Sequence, residues 1–128
     1  SWETICEGKD AALISYGYML ENAKAIKDNL KDIDLSIINA RYQKPIDEKL
    51  FSKILSTYKH IFIYEEQTYI NSLGSYLVNY ANEHNYQGNI KVFAIKDEYI
   101  KQGKKEEILK SLELDSESIA KKIKKNME

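Results

Sequence analysis

The chain has 128 residues, 43% of them hydrophobic and 30% charged, with a formal net charge of −1. That length suits one domain around a single buried core, and a charge so close to zero argues against nucleic acid or an anionic membrane as partner. The single cysteine, Cys6, excludes an internal disulfide and a cysteine-based metal site.

No apolar run approaches the ~20 residues of a membrane span, and no signal-peptide pattern opens the chain; a cytoplasmic location is expected. The first residues are Ser1 and Trp2, not methionine, as in a piece of a longer polypeptide. Trp2, Thr4 and Cys6 alternate at strand period, predicting a short edge strand within residues 1–8. Ala11 to Ser15 is a compact apolar run ending at Tyr16-Gly17, the pattern of a buried parallel strand. From Tyr18 the period changes: Met19, Ala23, Ile26 and Leu30 share a helical face, with Glu21, Lys24, Lys27 and Asp28 opposite.

The most informative stretch runs from Ile37 to Phe51. It closes a strand over 34–40 and turns through polar and aromatic residues. Pro45 keeps Lys44 out of the helical region. Asp47 then has the chemistry to cap a helix over 47–58, with Ile46 and Phe51 spaced for a hydrophobic staple. Leu50, Phe51, Ile54, Leu55 and Tyr58 form its inward face.

His60 to Glu65 is the clearest strand, followed by a loop over 66–72 and a helix over about 73–84 with Leu73, Leu77, Tyr80 and Ala81 as its stripe. A last strand spans 90–95. Two polar helices close the chain, over 104–112 and after the capping residue Asp115, the latter carrying Ile119, Ile123 and Met127. Its terminal lysines (121, 122, 124, 125) suit the negative end of a helix dipole. Strand alternating with helix predicts one α/β domain over 1–128, a parallel sheet covered by helices on both faces.

Templates for chemistry find little purchase. The five glycines (8, 17, 74, 88, 103) match neither a phosphate-binding loop nor a dinucleotide fingerprint. His60 and His84 lie on different elements without carboxylates at ligand spacing, so no metal site is expected. Ser15 and Ser75 lack a nucleophile elbow, and Cys6 lacks a base. One constellation remains at the carboxyl ends of the strands: Arg41 and Lys44, Glu65 and Glu66, and Gly17. The two glutamates have the chemistry of an acid–base pair. The alternative is structural: one accepts amides of the loop or of the following helix while the other meets Arg41 across the glycine.

Trp2, Gly8-Lys9-Asp10, Leu13-Ile14-Ser15-Tyr16-Gly17, Asn39-Ala40-Arg41-Tyr42-Gln43-Lys44-Pro45-Ile46-Asp47, Tyr64-Glu65-Glu66-Gln67, Leu73-Gly74-Ser75 and Ile100-Lys101-Gln102-Gly103 together resemble the C-terminal domain of the 1-deoxy-D-xylulose-5-phosphate synthase family. Arg-x-x-Lys-Pro-x-Asp is the most specific part, and the likeness covers nearly the whole chain. Where that family has a glycine pair, this chain has Asn71-Ser72-Leu73, a loop less permissive in φ.

The resemblance implies a transketolase C-terminal-like domain: three layers, α/β/α, around a five-stranded, mostly parallel mixed sheet of order 1-3-2-4-5 with strand 1 antiparallel. It further implies a thiamine diphosphate and Mg²⁺ enzyme, a homodimer, in which preceding domains of the same chain hold the cofactor. Such an enzyme decarboxylates pyruvate and joins the two-carbon unit to D-glyceraldehyde 3-phosphate, supplying isoprenoid and thiamine synthesis. This domain would then carry no catalytic, cofactor or metal residues. Arg41, Lys44, Pro45, Asp47, Glu65, Glu66, Gly74 and Ser75 become candidates for interface and structural service. Competing readings are another thiamine enzyme's last domain (a transketolase or a 2-oxoacid dehydrogenase β subunit), a stand-alone flavodoxin-like module, or a hydrolase using Glu65 or Glu66.

Overall fold

The computed structural model describes residues 1–41, 46–68, 72–100 and 103–128. In chain order these form β1 (Glu3–Cys6), β2 (Ala11–Ser15), α1 (Met19–Asn29), β3 (Leu35–Asn39), α2 (Glu48–Thr57), β4 (His60–Gln67), α3 (Leu73–Glu83), β5 (Asn89–Lys96), α4 (Asp97–Ile100), α5 (Lys105–Ser111) and α6 (Ser116–Asn126). The sheet has the order β1-β3-β2-β4-β5. β1 runs antiparallel to β3 with an irregularity between Thr4 and Cys6, while β3, β2, β4 and β5 are mutually parallel. This is the expected topology.

The pleat sorts the apolar residues into two cores. Leu13 of β2, Leu35 and Ile37 of β3, and Phe62 and Tyr64 of β4 face one side with Met19, Ala23 and Ile26 of α1, Leu109 of α5, and Ile119 and Ile123 of α6. Ala12, Ile14, Ile38, Ile61 and Ile63 face the other with Phe51 and Ile54 of α2 and Leu73 and Leu77 of α3. Trp2 is nearly buried in this second core, its ring edge-on to Phe51 at 5.9 Å. Ile46 also packs against this core. Cys6 is a half-buried free thiol packed against the first core.

Two elements differ from their expected extents. β4 continues two residues past Glu65, because Glu66 and Gln67 pair with Ile95 and Lys96 of β5; a neighbouring strand draws polar residues into the ladder. The short α4 is not among the expected elements. It follows directly on β5 and opens with two acidic residues, Asp97 and Glu98, which favour a helix start.

Candidate functional site

In open α/β sheets ligands bind outside the carboxyl ends of the strands, where the chain's winding reverses. Here that point lies between β2 and β4: β2 connects through α1 on one face of the sheet, β4 through α3 on the other. Gly17 turns the chain after β2 with φ +63, and its carbonyl accepts from Leu20 N at 3.1 Å. Tyr16, just before it, lies against the second core. Its hydroxyl donates to the carbonyl of Glu66 at 3.0 Å and to Glu65 Oε1 at 3.4 Å. The crevice is thus bridged by the protein's own side chain.

Glu65 is fully buried. Its carboxylate accepts from Leu73 N at 3.0 Å and from Gly74 N at 2.7 Å, the first two amides of α3. Ser72 caps the same helix: its Oγ accepts from Ser75 N at 3.4 Å and from Gln67 Nε2 at 2.8 Å, and donates to Ser75 Oγ at 2.8 Å. Tyr76 N bonds the Ser72 carbonyl at 3.3 Å. All four amides that a helix start leaves open therefore have partners within the chain. The place where an external anion would bind a helix N-terminus holds an internal carboxylate. Burial pushes the Glu65 carboxyl up from its ordinary value, partly offset by the Gly74 and Leu73 amides and the Tyr16 hydroxyl.

Gly74 is required by this arrangement. A Cβ there would lie 2.6 Å from Glu65 Oε2 and 2.7 Å from Val92 Cγ1. Only a residue without one lets the carboxylate reach the helix start.

The expected pairing of the glutamates, and of one of them with Arg41, does not occur among the described residues. Because both lie within β4, strand alternation sends them to opposite faces: Glu65 toward α3, Glu66 toward α1 and α5. Arg41 turns the other way. Its guanidinium meets Glu3 Oε1 at 3.5 Å, both side chains being more than half exposed. β1 lies beside β3, with Glu3 opposite Asn39, so the nearest carboxylate is on the strand next door and not two strands away. Arg41 itself sits at φ +40, its amide held by Asn39 Oδ1 at 3.0 Å.

Asp47 does cap α2, accepting from Leu50 N at 3.0 Å. Its other oxygen accepts from Trp2 N at 3.1 Å, a tie to the start of the chain that the sequence pattern does not reveal. Lys44 and Pro45, and Asn71 of the loop that replaces the glycine pair, lie outside the described residues.

A cavity of about 530 Å³ opens at the same edge, lined by Gln67, Thr68, Ser72, Ser75, Lys96, Asp97 and Glu98. Among the described residues no three histidine, cysteine or carboxylate side chains are grouped to hold a metal ion. Nor do the residues here fit thiamine diphosphate: the helix start that would take a diphosphate is filled by Glu65. His60 opens β4, with its Nδ1 buried and without a partner among the described residues. His84 ends α3, stacked on Tyr80 with ring centroids 3.9 Å apart.

A five-stranded mixed sheet of this order, with strand 1 antiparallel and helices on both faces, is the architecture of transketolase C-terminal-like domains. The family model for the transketolase C-terminal domain matches residues 1–119, and the chain belongs to that family. It is 35% identical to the 1-deoxy-D-xylulose-5-phosphate synthase of Clostridium tetani (strain Massachusetts / E88), covering 98% of this chain and 21% of that protein. It is 36% identical to the same-named protein of Clostridium botulinum (strain Alaska E43 / Type E3), covering 95% of this chain and 20% of that one. The chain thus spans about a fifth of the length of these relatives. Among solved structures, one titled "Split gene transketolase, inactive beta4 tetramer" matches with TM-score 0.78 at 22% identity, over 99% of this chain and 41% of that one. A 2-oxoglutarate:ferredoxin oxidoreductase from Magnetococcus marinus matches with TM-score 0.64 at 14% identity, over 100% of this chain and 20% of that one. These two likenesses concern the fold. No helix among the described residues is long and apolar enough to cross a membrane.

Proposed function

We propose that this chain is the C-terminal structural domain of a 1-deoxy-D-xylulose-5-phosphate synthase, a thiamine diphosphate- and Mg²⁺-dependent homodimer of the cytoplasm. The parent enzyme would decarboxylate pyruvate and transfer the two-carbon unit to D-glyceraldehyde 3-phosphate, in domains that precede this one. The chain's own work is to brace those domains and extend the dimer interface. The observation that carries this reading is identity of 35% along 98% of the chain to a protein five times its length. The filled crevice supports it: Glu65 and Tyr16 occupy the fold's ordinary ligand position, leaving a rigid body in place of a reaction site. Arg41, at the exposed carboxyl end of β3, and Asp47, which ties Trp2 to α2, are the residues best placed to fix a neighbouring domain. Glu65, Gly74 and Ser75 act behind them by holding α3.

The test is a chimera in which this chain replaces the corresponding region of the Clostridium tetani synthase. Pyruvate- and glyceraldehyde 3-phosphate-dependent CO₂ release is expected at a rate within about tenfold of the parent. A chimera that is folded and dimeric yet inert would refute the reading. So would thiamine diphosphate binding by the 128-residue chain alone.

A further inference from the structure

The two edges of the sheet are finished differently. β1 is four residues long, antiparallel to β3 and irregular in register between Thr4 and Cys6, the form in which proteins close an edge against further pairing. β5 is twice as long, and all of Asn89–Lys96 pairs in unbroken parallel register with β4. No strand lies on its other side. Among the described residues, Ile90 to Ala94 make no backbone hydrogen bond to any segment other than β4. The outward N–H and C=O groups of this stretch are therefore open to a further strand.

Strand alternation gives this edge two chemistries. On the side of the first core, Lys91 is exposed and Phe93 is buried, its ring stacked on Phe62 with centroids 6.1 Å apart. The end of α6 lies beside them, where Asn89 Nδ2 donates to Asn126 Oδ1. Lys91, Phe93, Lys122, Lys125 and Asn126 line a groove of about 500 Å³. None of these three lysines has an ion-pair partner among the described residues; Lys122 donates to the Glu113 carbonyl at 2.7 Å. On the other side, Ile90 and Val92 are only half-buried against the second core. The helix dipole accounts for a lysine in the last turn of α6, and a lysine on an edge strand deters pairing with a like edge. Neither accounts for lysines of two elements converging on one groove with no carboxylate to balance them, in a chain of 19 basic and 20 acidic residues.

We propose that the outer edge of β5 is a docking site for an extended acidic segment of a partner protein, which joins the sheet as a sixth strand. Main-chain bonds to β5 supply the affinity, and side chains alternating along the incoming strand supply the selectivity. Toward α6, every second residue is a glutamate or aspartate set against Lys91, Lys122 and Lys125. Toward α3, the residues between are apolar and cover Ile90 and Val92. A second copy of this chain does not fit: pairing two β5 edges would bring both sets of lysines to one face of the joined sheet, where they repel. The site lies at the opposite edge of the sheet from β1 and its Glu3–Arg41 pair, so it is separate from the surface assigned above to a neighbouring domain.

Fluorescence anisotropy of a labelled octapeptide alternating Glu and Val, titrated with the 128-residue chain, tests this. Saturable binding is expected. It should weaken about fivefold in each of Lys91→Glu and Lys125→Glu, whose exposed positions leave the fold intact by circular dichroism, and it should weaken further as salt is raised. A peptide with Pro in place of Val keeps the charge but cannot donate to the edge, and should bind at least about tenfold more weakly. Amide exchange gives a reading free of variants: the Glu-Val peptide should slow exchange within Ile90 to Ala94 and leave β1 unchanged. Four results would overturn the proposal. The first is no saturable binding, and the second is binding indifferent to both charge reversals. The third is equal binding of the Pro peptide or of a single-stranded oligonucleotide of the same charge, which would make the groove a site for any anion. The last is dimerisation on size exclusion that Lys91→Glu strengthens, which would make a second copy the occupant.

Discussion

Replacing Gly74 by alanine tests whether Glu65 holds the start of α3. Helix propensity alone favours the change, by up to about 1 kcal/mol. The surroundings oppose it. The new Cβ would lie 2.6 Å from Glu65 Oε2, 2.7 Å from Val92 Cγ1 and 3.1 Å from Val92 Cγ2, and Glu65 has little room because it is fully buried. Overpacking of this kind costs about 1–3 kcal/mol. Pushing the carboxylate away also weakens its 2.7 Å bond to Gly74 N, at a cost of about 1.5–3 kcal/mol for a charge-assisted bond. The two losses share one displacement and do not add fully, so a net destabilisation of about 2–4 kcal/mol is expected. An unfolding entropy of about 2.1 cal/mol/K per residue turns that into a fall in Tm on the order of 10 °C. Thermal unfolding followed by circular dichroism measures it. In a double-mutant cycle Val92→Ala should recover part of the loss, because it removes one of the two clashes. A Gly74→Ala protein as stable as the original would refute the reasoning: the carboxylate would then have room to move, and Glu65 would not be what requires a glycine there.

Three further outcomes follow from the same geometry. Asp47→Ala removes the α2 cap and the acceptor for Trp2 N, and should cost about 1–2 kcal/mol; since Trp2 is the only tryptophan, its fluorescence should shift as its surroundings loosen, and an unchanged spectrum would count against the tie. Arg41→Glu should change stability by no more than about 0.5 kcal/mol, because its pair with Glu3 is solvent-exposed; loss of dimer on size exclusion in the longer enzyme would then report on the interface itself, and unchanged association would count against Arg41 as an interface residue. The pH dependence of stability has a defined sign. Burial raises Glu65 and Glu66, so they favour the folded chain below the ordinary glutamate value and cease to do so as pH rises through their raised ones. For Asp115, burial acts upward but the Ser118 bonds and nearby Lys110 outweigh it, lowering the net value; its contribution is present above the ordinary aspartate value and lost as pH falls through the lowered one. Urea midpoints should therefore decline as pH rises from the ordinary glutamate value through the raised ones, with a shallower slope in Glu65→Gln.

Much of the framework was legible because it is written in local period. The apolar runs over 11–15 and 60–65 are strands in the structure, and the 3.6-residue stripe of Met19, Ala23 and Ile26 is the buried face of α1. Asp47 and Asp115 cap the helices they precede, since an N-cap needs only its own side chain and an amide three residues on. The order of the strands came from resemblance to a known family and not from periodicity, which says nothing about which strand lies beside which.

The site was less legible because its partners are chosen by register. Whether Glu65 and Glu66 form a pair depends on where β4 ends, and that is decided by β5 continuing beside it to Lys96. Arg41 meets Glu3 because an antiparallel β1 occupies the edge next to β3. Tyr16 and Gly74 gain their roles only when Glu66 and Glu65, 50 and 9 positions away, are brought to them. The amino-acid order by itself determined which segments are strand or helix and which face of each is apolar, for these depend on neighbours within a turn or two. Only the tertiary structure decided that the crevice at the strand ends would be filled from within, because burying a carboxylate against a helix start requires three separate elements to arrive at one place.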